Sequence, residues 1–242
     1  MDGIEVRGLT KRYPRVVAVD DLTFTLEPGR VTGFVGRNGA GKTTTLRMLV
    51  GLTRPTRGTA TVAGKPYRDV RDPLRHVGVL IDPNCFHPGR TGRNALRVIA
   101  RQARIPDARV AEVLDLVDLG AVAGRRVGGY SLGMRQRLAL AAALLGDPAT
   151  LILDEPANGL DPDGVRWLRS LIRGLGEQGR SVLVSSHLLA ELAQAVDDVI
   201  IIERGRLVVH APIAALTVDD ESLEDAFVRL TGPAATAAGR AS

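Results

Sequence analysis

The sequence predicts an α/β fold: a mostly parallel sheet covered on both faces, an antiparallel β edge at the N-terminus and an inserted α-helical lobe. Three observations carry this. Apolar runs of strand length alternate with helical patterns through most of the 242 residues, the rhythm of parallel strands joined by crossover helices. Those runs are apolar without interruption, as strands covered on both faces must be. A helical block at about residues 85–145 interrupts the alternation and reads as a lobe of its own.

In chain order, Val31–Val35 (VTGFV) is an apolar strand that ends in Gly36. Lys42–Gly51 follows as a helix, with Leu46, Leu49 and Val50 on one face and Gly51 as its stop. Thr59–Ala63 and His76–Ile81 read as strands. A helical stretch from Thr91 to Leu119 breaks near Ile105-Pro106, and a second helix runs from Ser131 to Leu145. Thr150–Leu153 (TLIL) is a buried strand, Val165–Leu175 a helix, Ser181–Ser185 (SVLVS) a strand and Leu188–Val196 a helix. Val199–Glu203 and Arg206–Val209 flank Arg204-Gly205, a hairpin signal. Glu221–Leu230 closes the pattern as a last helix, and Gly232–Ser242 (GPAATAAGRAS) reads as disordered.

Composition narrows the function classes. Hydrophobic residues make up 45% and charged residues 24%, which is ordinary for a globular domain and excludes a disordered, collagenous or disulfide-rich chain. The longest apolar run, Leu138–Leu145, falls well short of the about 20 residues a spanning helix needs. The N-terminus carries no secretory h-region. The single cysteine, Cys85, fits a reducing compartment. Of the 32 cationic residues only Lys11, Lys42 and Lys65 are lysine. No basic block of nucleic-acid-binding type accompanies that arginine bias. Aromatics are 3% of the chain, leaving little material for base stacking. Nucleic acid is therefore not an expected partner.

Gly36-Arg37-Asn38-Gly39-Ala40-Gly41-Lys42-Thr43 matches G-x-x-x-x-G-K-[ST], with an apolar strand entering and a helix leaving. Its glycines let backbone N–H groups turn inward as an anion nest, and the helix N-terminus adds partial positive charge. Lys42 is placed to reach β- and γ-phosphates, and the Thr43 hydroxyl to hold Mg²⁺. The nucleotide-binding set is thus Gly36, Arg37, Asn38, Gly39, Ala40, Gly41, Lys42, Thr43 and Thr44, in a P-loop NTPase core. Downstream, the apolar strand Leu151–Leu153 ends in Asp154 and Glu155. Neighbouring strand residues face opposite ways, so the two acids take different jobs. Asp154 orients Mg²⁺, and Glu155 polarises the attacking water.

These motifs, in their order, resemble the ATP-binding subunits of ABC transporters over about residues 4–210. Tyr13 stands where the family stacks an aromatic on adenine. Tyr130-Ser131-Leu132-Gly133-Met134 resembles the family signature, Asn158-Gly159-Leu160-Asp161 its D-loop, and Ser185-Ser186-His187 its switch-histidine loop. The resemblance implies that Ser131, Leu132, Gly133 and Met134 bind ATP on a second copy of the chain. It implies that Asp161 contacts that copy and that His187 works with Glu155 at the γ-phosphate. Ser131 and Asp161 are also in place to cap their own helices. Where the family carries a glutamine, this sequence aligns Asp82, a carboxylate that can approach Mg²⁺ and also suits a turn before Pro83.

The variant signature YSLGMRQR, the carboxylate at the glutamine position and the stretch FHPGRTGRNAL resemble the drug- and bacitracin-type exporter ATPases. The resemblance implies an ATPase working with ATP and Mg²⁺. It implies a head-to-tail dimer docked through about Pro83–Arg93 on a separate transmembrane permease subunit, at the cytoplasmic side of the membrane. Residues 1–210 are expected to form the cassette and 211–242 a short extension. A soluble ABC-type ATPase acting on DNA is the first rival, but no heptads or cysteine pairs lie between Lys42 and Ser131. A P-loop kinase or nucleotide-dependent regulatory module is the second. Neither explains the signature and the histidine together.

Overall fold

The computed structural model describes residues 3–187, 194–216 and 222–232. Two sheets form its frame. Strands β1 (Ile4–Tyr13), β2 (Val16–Leu26) and β4 (Arg57–Val62) make an antiparallel sheet in the order β2-β1-β4. The expected antiparallel N-terminal edge is therefore a separate sheet, held by its own ladders. The main sheet has the order β5-β6-β7-β3-β8-β9, from β3 (Val31–Val35), β5 (Val77–Leu80), β6 (Thr150–Leu153), β7 (Ser181–Ser186), β8 (Asp198–Glu203) and β9 (Arg206–Pro212). All its pairings are parallel except β8 with β9, the hairpin turning at Arg204-Gly205.

Strand alternation divides the core in two. Ile152, Leu183, Phe34 and Ile200 point toward the antiparallel sheet and helix α1 (Lys42–Leu49), and all four are fully buried. Leu151, Leu153, Val182, Val184 and Ile201 point the other way, onto the helices. Because neighbouring residues serve opposite faces, each of these strands must be apolar throughout. Burying one such side chain stabilises the fold by about 1.5–3 kcal/mol.

The helical lobe contains α2 (Gly92–Gln102), α3 (Asp107–Leu116) and α4 (Leu132–Leu144). Thr91 caps α2 through its hydroxyl, which accepts the Asn94 N–H, and Ser131 caps α4 in the same way for Met134. Helix α5 (Pro162–Glu177) begins earlier than the apolar pattern alone indicates, because Asp161 caps it and Pro162 suits its first turn. Past β9, a short helix α6 (Ile213–Leu216) leads to α7 (Leu223–Thr231), which buries Leu223 and Phe227 against the core. Most of the helix expected at Leu188–Val196, and the tail expected to be disordered at 233–242, lie outside the described residues.

Candidate functional site

Three adjacent parallel strands, β6, β7 and β3, run in register. Their carboxyl ends deliver Asp154-Glu155, Ser186-His187 and the phosphate loop to one edge of the sheet, where ligands of such sheets bind. Arg37, Asn38, Gly39, Gly41, Lys42, Thr43, Thr44, Glu155, Asn158 and His187 line a single cleft there. The phosphate loop, both candidate catalytic residues and one D-loop residue thus come together in one chain.

The backbone of the loop explains its glycines. Gly41 has φ +107°, and a Cβ there would sit 2.5 Å from the Ala18 carbonyl oxygen. It opens α1 with no side chain capping the first turn, so those N–H groups are left for a ligand. Lys42 is only 6% exposed. Its ammonium donates to the Gly36 carbonyl at 2.6 Å and pairs with Glu155 Oε1 at 3.3 Å. A buried cation needs such partners, and they aim its charge at the loop.

Asp154 and Glu155 do take different directions, but the strand pleat is not the reason. β6 ends at Leu153, and Glu155 has φ +46°, a left-handed conformation that is costly for a residue with a Cβ. This turn sends the Glu155 carboxylate toward Lys42 and to within 2.7 Å of His187 Nδ1. Asp154 stays buried and accepts the Ser185 hydroxyl at 2.6 Å. The same Ser185 oxygen accepts the Glu155 N–H at 2.9 Å.

Other expected residues stand apart from the cleft. Tyr13 is 47% exposed beneath the Lys11 ammonium. It does not line the cleft, although its ladder partner Val16 does. Asp82 lies in a second cavity, with Leu52, Val79, Ile81, Phe86 and Ile99. Its carboxylate accepts the Asn84 N–H at 2.8 Å in a turn. Ser131, Leu132, Gly133 and Met134 are outside the cleft of their own chain. Instead, Leu132 and Gly133 pack on the D-loop: a Cβ on Gly159 would meet Leu132 at 2.4 Å. Asp161 Oδ1 accepts the Gly164 N–H at 2.8 Å, a capping role within the chain.

Two residues at this edge carry no role in the sequence reading. Ser185 bridges both acids, and a hydroxyl directly after the apolar run Val182–Val184 signals a buried polar contact. Gln136 is 3% exposed and donates from Nε2 to the Glu155 carbonyl at 3.2 Å. Its signal is a polar residue on the stripe shared with the buried Ala139, Leu140 and Ala143.

The sequence model of the ABC transporter family matches residues 19–158, more than half of the chain. The chain belongs to the ABC transporter family. A bacitracin transport ATP-binding protein, BcrA, of Bacillus licheniformis is 42% identical over 212 residues, covering 86% of this chain and 69% of that protein. A Nod factor export ATP-binding protein of Burkholderia lata is 37% identical over 218 residues, covering 88% and 72%. The solved ATP-binding subunit of an ABC transporter superposes with a TM-score of 0.84 at 26% identity, covering 94% of this chain and 99% of that one. This ABC chain is an ATP-binding, ATP-hydrolysing subunit of a transporter. Among its described residues no helix is long and apolar enough to cross a membrane.

Proposed function

We propose that the chain drives export of a drug, antibiotic or other hydrophobic compound through a separate permease. In this reading two copies close head to tail over two ATP molecules. The observation that carries the chemistry is the Glu155 carboxylate, held between Lys42 at 3.3 Å and His187 at 2.7 Å in the mouth of the phosphate loop. The names of the bacitracin and Nod factor relatives support export.

The phosphate loop from Gly36 to Thr44 binds the phosphates. Lys42 exchanges its Gly36 and Glu155 partners for phosphate oxygens. Glu155 then accepts a proton from the water that attacks the γ-phosphorus in line as the bond to the bridging β-phosphate oxygen breaks and ADP leaves, and His187 keeps the carboxylate turned toward that water. Thr43 and Asp154 offer a hydroxyl and a carboxylate, the hard oxygen donors that suit Mg²⁺. When bound, Mg²⁺ neutralises phosphate charge.

The signature residues Ser131 to Met134 serve the partner copy's nucleotide, with α4 presenting its N-terminus to the γ-phosphate. Asp161 contacts the partner, and Tyr13 stacks on adenine from the rim of the cleft. The permease docks at the apolar cavity beside Asp82 and along Pro83–Arg93. It holds the cassette, residues 1–210, at the cytoplasmic side of the membrane, and residues 211–242 extend from it.

Glu155→Gln tests the chemistry. The variant is expected to bind ATP and dimerise but to hydrolyse ATP at least about 100-fold more slowly. Hydrolysis at the wild-type rate removes Glu155 from the reaction. Copurification with the product of a neighbouring reading frame that encodes spanning helices tests the permease.

A further inference from the structure

We infer that Gln136 is a positioning residue for hydrolysis: from helix α4 it fixes the backbone of Glu155 and ties the signature helix to the carboxylate that activates water. The inference rests on the reading of Glu155 given above.

Glu155 is held at both ends of its peptide frame. Its N–H donates to Ser185 Oγ at 2.9 Å. Its carbonyl accepts the Asn158 N–H, within its own turn, and Gln136 Nε2, each at 3.2 Å. Between these anchors the residue keeps φ +46°. Such a conformation persists only where its surroundings over-determine it. Relaxation of φ would swing the carboxylate away from Lys42 and His187.

Stability alone does not account for a glutamine here. Its side chain is 3% exposed, yet Oε1 has no hydrogen-bond partner among the described residues. A buried amide oxygen left unpaired is unfavourable, and an apolar residue of the same volume avoids that cost. Among the described residues, the one bond that the amide does make goes to Glu155. Gln136 sits just over one turn from Ser131, the cap of α4. Seating the start of that helix against a partner's nucleotide therefore bears directly on the backbone of the catalytic carboxylate in its own chain.

The test compares Gln136→Met, Gln136→Glu and Glu155→Gln in the full-length chain, following MgATP hydrolysis from pH 6 to 9. Gln136→Met keeps the volume and removes the donor. Its kcat is expected to fall about tenfold at unchanged KM, the loss of one positioning hydrogen bond. Gln136→Glu is isosteric and donates only when protonated, and burial favours that form. Its activity relative to wild type should rise as pH falls, whereas the Gln136→Met ratio stays flat. A purely structural role moves stability and leaves both ratios independent of pH. Wild-type kcat in Gln136→Met overturns the inference, as does a Gln136→Glu ratio at pH 6 no higher than that of Gln136→Met. If Gln136→Met does not fold, the Gln136→Glu ratio decides. If Glu155→Gln hydrolyses like wild type, the reading of Glu155 fails instead.

Discussion

At the phosphate loop, the charged groups central to the chemistry have partners within the chain. Lys42 reaches Gly36 and Glu155, Glu155 reaches His187, and Asp154 accepts Ser185. At the start of α4 the situation is reversed. Ser131 and Leu132 are exposed, Ser131 does no more than cap its own helix, and none of the signature residues lines the cleft. Both regions are helix N-termini that follow a glycine-containing turn. This contrast supports the proposal that the first is one half of a nucleotide site and the second the complementary half, used against another copy.

Substitutions in the two regions should therefore fail in different ways. The largest effect is expected from Lys42→Ala, which removes the buried cation and leaves Glu155 facing the phosphates unopposed. ATP binding to the isolated chain should weaken by about 100-fold or more, measured by calorimetry. Ser131→Asp should behave otherwise. Aspartate caps a helix as well as serine does, so the melting temperature and ATP binding to the single chain should hold. Hydrolysis should fall steeply, because the new carboxylate repels the partner's γ-phosphate. Loss of single-chain binding in Ser131→Asp would mean that the two regions are not distinct.

Ser185→Ala removes the hydroxyl that serves both acids. It leaves the Glu155 N–H and an Asp154 oxygen without that partner, at a cost of about 1–3 kcal/mol. Hydrolysis should drop about tenfold, with a lower melting temperature. Cys85, on the cavity beside Asp82, gives the smallest effect. Burial and the nearby Asp82 charge raise its thiol pKa above the ordinary value, so the thiolate is scarcer than in a free thiol at any pH below that point. Alkylation near pH 8 should run slower than for a free thiol and slower still with the permease present. Labelling that the permease leaves unchanged would move the docking surface elsewhere.

The sheet and the phosphate loop were legible because each rests on local signals: uninterrupted apolar runs, glycines at fixed spacing, and a lysine and threonine in the right context. β3 and β6 match their predicted bounds for that reason. The antiparallel character of the N-terminal strands was legible, but that they form a sheet of their own was not, since ladder partners such as Ile4 and Val62 are set by tertiary pairing. The divergence of Asp154 and Glu155 was foreseen from strand alternation, yet it arises from a left-handed residue beyond the strand end, which no periodicity encodes. Ser185 and Gln136 show the same limit: each stands out as a polar residue in an apolar pattern, but the partner it serves is set by tertiary packing. Asp82 reads both as a carboxylate that can approach Mg²⁺ and as a turn residue, and in the fold its carboxylate accepts the Asn84 N–H in a local turn.

The claim that one chain holds two unlike half-sites is tested most directly by mixing two inactive variants. Glu155→Gln retains a working signature, and Ser131→Asp retains a working carboxylate. Combined in equal amounts, half of the dimers pair the two and rebuild one intact site, so hydrolysis should return to about a quarter of the wild-type rate. A mixture no more active than the average of its two components would contradict the account and place the whole site within a single chain.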